Sequence, residues 1–311
     1  MSTLRKTFIG DHGLRAGWGI LIFFVLVFVF STCAHWVYVH AVKSYVPADP
    51  SDPVTIMVGE FFRAVAILLA TWVTVRVARQ RFNDFGLPPR EAFGRKFWLG
   101  GVWGFVNVSI AMAVLYLCHV YSIAGLALSG TAILKYAALW AVACVFIGLF
   151  EETAFRGYLL FALIRPMGFW PAAILLSFLF AFVHRSNPGE TFIGLVGVFV
   201  IAMFICLTVI KTGSLWFAIG FHMAFDWCES FLYSVPDSGT PAVGHLLNTQ
   251  ISGSKWLSGG TAGPEASVVM LIVEVVLFAI FLAMHPENKL PPFRVRANRP
   301  GLSASPASEV A

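Results

Sequence analysis

Three short patterns place ionisable groups at helical spacing inside apolar runs: Glu151 and Glu152 with Arg156, Phe180 with His184, and His222 with Asp226. An ionisable side chain at the middle of a membrane helix costs at least ~2.5–3.5 kcal/mol, so such a concentration calls for a function. Residues i and i+4 share a helix face, so Glu152 stacks on Arg156 in an ion pair that holds the carboxylate charged. Glu151, about 100° further round the helix, is free to face elsewhere and is the candidate general base. Two chemistries suit this set. In a metal-free one, a buried carboxylate takes a proton from water and His184 assists. In the other, His184, His222 and a carboxylate, Asp226, hold Zn2+ with a fourth position open to water. The chain has no HExxH pattern to favour the second.

The elements that must carry these residues are membrane spans. With 58% hydrophobic and only 12% charged residues, and a mean hydropathy of +0.80, the 311-residue chain is too apolar for a soluble domain, and the fold class is an all-α polytopic bundle. Hydropathy and turn signals give eight spans, at about 17–39, 54–78, 97–121, 134–164, 170–183, 191–210, 215–233 and 265–284. The fourth, about 31 residues long, must tilt or project beyond the bilayer. Arg76, Arg79, Arg81, Arg90, Arg95, Lys96, Arg165 and Lys211 fall on one side of this topology, as does the basic tail. Their bias makes that side cytoplasmic, with both termini there. The formal charge of +5 reflects these loops and carries no nucleic-acid inference.

Counting along the helices puts the site at one depth. At ~1.5 Å per residue, Glu152 lies roughly 18 Å from Ile164, and His184 roughly 21 Å from Trp170, across a shared hairpin at 165–169. His222 and Asp226 lie roughly 12 and 18 Å from their own turn at 211–214. A single intramembrane site reached from the cytoplasmic side is the expectation.

In order and separation, the motifs EExxxR, FxxxH and HxxxD resemble those of the CAAX-protease and bacteriocin-processing (CPBP) family of intramembrane endopeptidases, over residues 134–233. The resemblance implies that Glu151 and His184 activate a water and that His222 with Asp226 forms the opposing wall. The family's third motif commonly ends in Asn, whose amide can donate to an oxyanion, whereas an ionised Asp cannot. Asp226 therefore is protonated, orients His222, or ligates a metal. The implied substrate is a peptide or membrane-protein segment, such as a lipidated C-terminus or a bacteriocin-like leader, cleaved near the cytoplasmic face of a prokaryotic cell membrane. Two other classes stay open: a secondary transporter or proton-coupled carrier built on the same buried groups, and a non-catalytic immunity or scaffold protein.

The expected organisation is three N-terminal spans (1–133), the catalytic core (134–233), a long loop with the eighth span (234–284) and a disordered basic tail (285–311). Glu60 with Arg63, at i, i+3, reads as a structural clamp, and Glu274 as a clamp or a support to the site. The five cysteines, with no CxxC pair, read as small packing residues.

Overall fold

The computed structural model describes residues 9–10 and 13–289; the greater part of the basic tail expected at 285–311 lies outside them. The chain is a polytopic bundle of apolar helices. Its main helices are α1 (Ala16–Val37), α2 (Pro53–Val77), α3 (Arg95–Leu117), α4 (Thr131–Arg156), α5 (Tyr158–Met167), α6 (Phe169–His184), α7 (Phe192–Thr212), α8 (Leu215–Trp227) and α9 (Val268–Met284). Each expected span has its counterpart, though among the described residues five helical segments are long and apolar enough to cross a membrane unaided. Helices α6, α8 and α9, at 16, 13 and 17 residues, fall short of the ~20 residues a full crossing takes.

The fourth span is not continuous. It breaks at Gly157, whose φ of −73° and ψ of −122° leave the helical region, and α5 resumes at Tyr158. A Cβ at Gly157 would collide with the Thr153 carbonyl oxygen, so the break needs glycine. The excess length of this span is therefore taken up by a bend directly after Arg156, not by tilt alone.

Helix α8 is held by glycines on both sides. Gly100 and Gly104 of α3 lie against the carbonyls of Phe217 and Phe221, Gly220 returns the contact to the Phe97 carbonyl, and Gly148 of α4 lies against Ile219 and His222. Without side chains at these points the backbones approach closely, which is how helices associate where lipid supplies no hydrophobic drive. The packing fixes the rotation of α8 and with it the direction of His222.

Two ends result. At one lie the basic 78–94 segment, the α5–α6 turn and the α7–α8 turn; Leu215 N–H donates to the Gly86 carbonyl, tying the first to the last, and Lys289 N–H donates to that of Ile210. Helix α1 starts there and α9 ends there, so the described chain enters and leaves on the same side. The opposite end carries an element that hydropathy does not reveal: β1 (Tyr121–Leu126) pairs antiparallel with β2 (Leu247–Ile251). The loop from 234 to 266 is pinned there by side-chain donors, Trp140 Nε1 to the Val243 carbonyl (3.0 Å) and Tyr121 OH to that of Tyr233 (2.8 Å).

Candidate active site

Glu151 and Glu152 lie about one and a half turns before the Gly157 break, and their side chains separate as helical geometry requires. Glu152 is fully buried with Arg156, whose Nη1 lies 3.3 Å from Oε2 and 3.4 Å from Oε1. The guanidinium also sits 4.2 Å over the Phe180 ring, so one aromatic residue packs under both the arginine and His184, whose ring centroid is 4.3 Å from that of Phe180. Glu152 has a second partner that the sequence did not indicate: His222 Nδ1, 2.7 Å from Oε1. A carboxylate only accepts, so His222 Nδ1 carries a proton and Nε2 is turned to the cavity.

Glu151 stands between the two histidines. Its Oε2 is 4.0 Å from His184 Nε2 and 3.7 Å from His222 Nε2. His184 Nδ1 donates to its own helix at the Phe180 carbonyl (2.7 Å), which leaves Nε2 as the acceptor facing Glu151. Asp226 Oδ2 lies 3.5 Å from His222 Nε2, one turn along α8. All six residues singled out by spacing, Glu151, Glu152, Arg156, His184, His222 and Asp226, thus meet in one cluster.

The zinc set fares differently. Ligands of one Zn2+ at about 2.1 Å cannot lie more than about 4.2 Å apart. Among the described residues, the group of three candidate ligands whose donor atoms all fall within 4.8 Å of one another is Glu229, Asp237 and Glu265. His184, His222 and Asp226 do not form such a group, so as placed they do not fit a shared zinc.

Glu151, His184, His222 and Asp226 line a cavity of about 520 Å³ together with residues of α2, α4, α6, α7, α8, α9 and the long loop. Pro50 and Thr55 at the start of α2, Asn187 and Pro188 after α6, and Asp237, Ser238, Thr240 and Glu265 of the long loop all belong to the end opposite the basic one. No lining residue comes from the 78–94 segment or the α5–α6 and α7–α8 turns. Counted along their helices, Glu60 and His184 lie roughly 26 and 22 Å from the basic ends of α2 and α6, while His222 reaches the cavity from roughly 10 Å along α8. Access from the basic end, expected from charge bias, is therefore corrected: the cavity opens at the other end. The expectation measured depth from the turns but had no view of which loops converge.

Sequence reasoning also placed Glu60 and Arg63 apart from the site. They do pair, at 2.7 Å, yet both line the cavity, as does Glu274, read as a clamp or a support. Of the cysteines, Cys144, Cys206 and Cys228 are buried packing residues while Cys33 and Cys118 face outward. At the mouth, burial raises the Asp237 carboxyl to about 6 against the hydrogen bond from Ser230. Burial and then Asp237 push Glu265 well above the usual range.

A search of curated proteins finds no match to this chain. Residues 133–228, the segment that holds all three motifs, match the model of the Rce1-like family, described as type II CAAX prenyl endopeptidase Rce1-like, and that family implies a protease acting in a membrane.

Proposed function

We propose that the protein is an intramembrane endopeptidase in which Glu151 activates a water for attack on a peptide carbonyl. The observation that carries this reading is Glu151 Oε2 at 4.0 Å from His184 Nε2 and 3.7 Å from His222 Nε2. Such gaps are too long for a direct hydrogen bond and fit a water held between the partners. That water donates one proton to Glu151 and directs the other to His184 Nε2, held as an acceptor by its bond to the Phe180 carbonyl.

Attack forms the bond from water oxygen to the carbonyl carbon as Glu151 takes the proton. His222 has carboxylates at both ring nitrogens, Glu152 at Nδ1 and Asp226 and Glu151 near Nε2. A ring carrying both protons satisfies all of them, and its Nε2–H is then the donor for the oxyanion. Asp226 does not replace the amide donor of the family's usual Asn; it orients His222, which supplies the donor instead. Collapse of the intermediate breaks the C–N bond, and Glu151 returns its proton to the leaving amine. Arg156 neutralises Glu152 and leaves Glu151 free to work as the base.

The substrate is a peptide segment presented at the membrane face opposite the basic loops, where the cavity opens. A lipidated C-terminus and a leader peptide both suit a 520 Å³ cavity beside the bilayer. The test is turnover of a membrane-anchored peptide library by detergent-purified protein. Glu151→Gln and His184→Ala are expected to lose at least 100-fold, in the range of general acid–base contributions. Unchanged turnover in either variant, or Glu151-dependent solute flux in proteoliposomes without cleavage, would overturn the proposal.

A further inference from the structure

Beyond the six residues of the candidate active site, four more carboxylates gather where α8 ends. Glu229 lies three residues past Asp226 in the turn of π-helix that extends α8, Asp237 is in the long loop, and Glu265 precedes α9. Ligand oxygens of these three lie within 4.8 Å of one another. Glu274 of α9 is the fourth: its Oε2 and the Glu265 backbone carbonyl both border Gly197 of α7, at 3.8 and 3.4 Å from where a Cβ would stand.

The second observation is a shortage of donors: Ser230 serves one oxygen of Asp237 and Ser238 serves Glu265, and the remaining buried oxygens have none. Glu229 is 0% exposed and Glu274 5%. Both oxygens of Glu229, Oε1 of Glu265 and Oε2 of Glu274 are buried without a hydrogen-bond partner. Among the described residues no salt bridge engages any of the four. Buried carboxylates without donors are satisfied by pairing or by a metal ion. An all-oxygen donor set with no histidine or cysteine suits a hard cation, and a site with several carboxylates from separate segments suits the larger, less demanding calcium ion.

We propose that Glu229, Asp237 and Glu265, supported by Glu274, form a calcium site that ties the end of α8 and the start of α9 to the loop covering the cavity. Calcium there fixes the wall that carries His222 and Asp226, and closes the loop segment that holds Ser238 and Thr240. The site stands whether or not the protein is a protease.

The test is equilibrium dialysis of radioactive Ca2+ against the full-length protein in detergent, stripped beforehand with chelator, with Mg2+ as a parallel arm. One Ca2+ per chain is expected, with at least tenfold weaker binding in Glu229→Gln and in Asp237→Asn, and wild-type binding in Glu151→Gln. Added Ca2+ is expected to raise the midpoint of thermal unfolding of the wild type but not of Asp237→Asn. Should Glu229→Gln fail to fold, the partly exposed Asp237 decides the matter. No bound Ca2+, equal binding by the variants, or displacement of Ca2+ by equimolar Mg2+ would overturn the assignment.

Discussion

Arg156→Met tests whether the guanidinium is what allows Glu152 to be buried as an anion. Both side chains are fully enclosed, with Arg156 Nη1 3.3 Å from Glu152 Oε2. Methionine keeps much of the arginine's packing volume over Phe180 and removes the charge. Breaking a buried pair by removing one partner costs about 3–5 kcal/mol, because the remaining charge is left uncompensated. The His222 Nδ1 bond at 2.7 Å persists and places the expected loss near the lower limit. The lost contact with Phe180 at 4.2 Å adds as much as about 2 kcal/mol where the cation is desolvated. A net loss of about 3–5 kcal/mol is about a fifth or more of the stability of a typical domain. Reversible unfolding in mixed micelles measures it. The double variant Arg156→Met, Glu152→Gln keeps an acceptor for His222 but no orphaned charge, and is expected to recover at least about 2 kcal/mol. A single variant within about 1 kcal/mol of wild type, or a double variant no better than the single, would refute the reasoning.

Gly104→Val drives a side chain into the Phe221 carbonyl one residue from His222. It is expected to cost about 1–3 kcal/mol and to cut peptide turnover more than tenfold, and wild-type turnover would contradict the glycine seat of α8. Tyr121→Phe removes the hydroxyl that donates to the Tyr233 carbonyl at 2.8 Å. A loss of about 1 kcal/mol should raise the rate of proteolytic nicking in the 234–253 loop about fivefold, with the rest of the chain unaffected. In a background lacking the outward-facing Cys33 and Cys118, a bulky maleimide on Thr240→Cys should block turnover and one on Arg81→Cys should not; the reverse would place the mouth at the basic end.

The helices and the chemical cluster are legible in the sequence for one reason: both follow from 3.6-residue periodicity in long apolar runs. Glu152 reaches Arg156, Phe180 packs on His184 and His222 reaches Asp226 because each pair is local, at i, i+4. Contacts between helices follow no such rule. The bond from His222 to Glu152 spans 70 residues and depends on the glycines that seat α8, whose contacts across helices follow no sequence period. The β1–β2 pair joins strands more than a hundred residues apart, one at the link after the third expected span and one in the long loop. The Gly157 break was masked by unbroken hydropathy. The acidic group at Glu229, Asp237 and Glu265 was invisible for the same reason, since its members come from three separate segments.

The role of Glu151 is tested most directly by single-turnover cleavage of an anchored peptide in water enriched in oxygen-18. If Glu151 activates water for direct attack, each new C-terminal carboxylate carries one heavy oxygen, Glu151 carries none, and Glu151→Gln gives no labelled product. Heavy oxygen transferred to Glu151, or label entering product at the wild-type rate in Glu151→Gln, would contradict it.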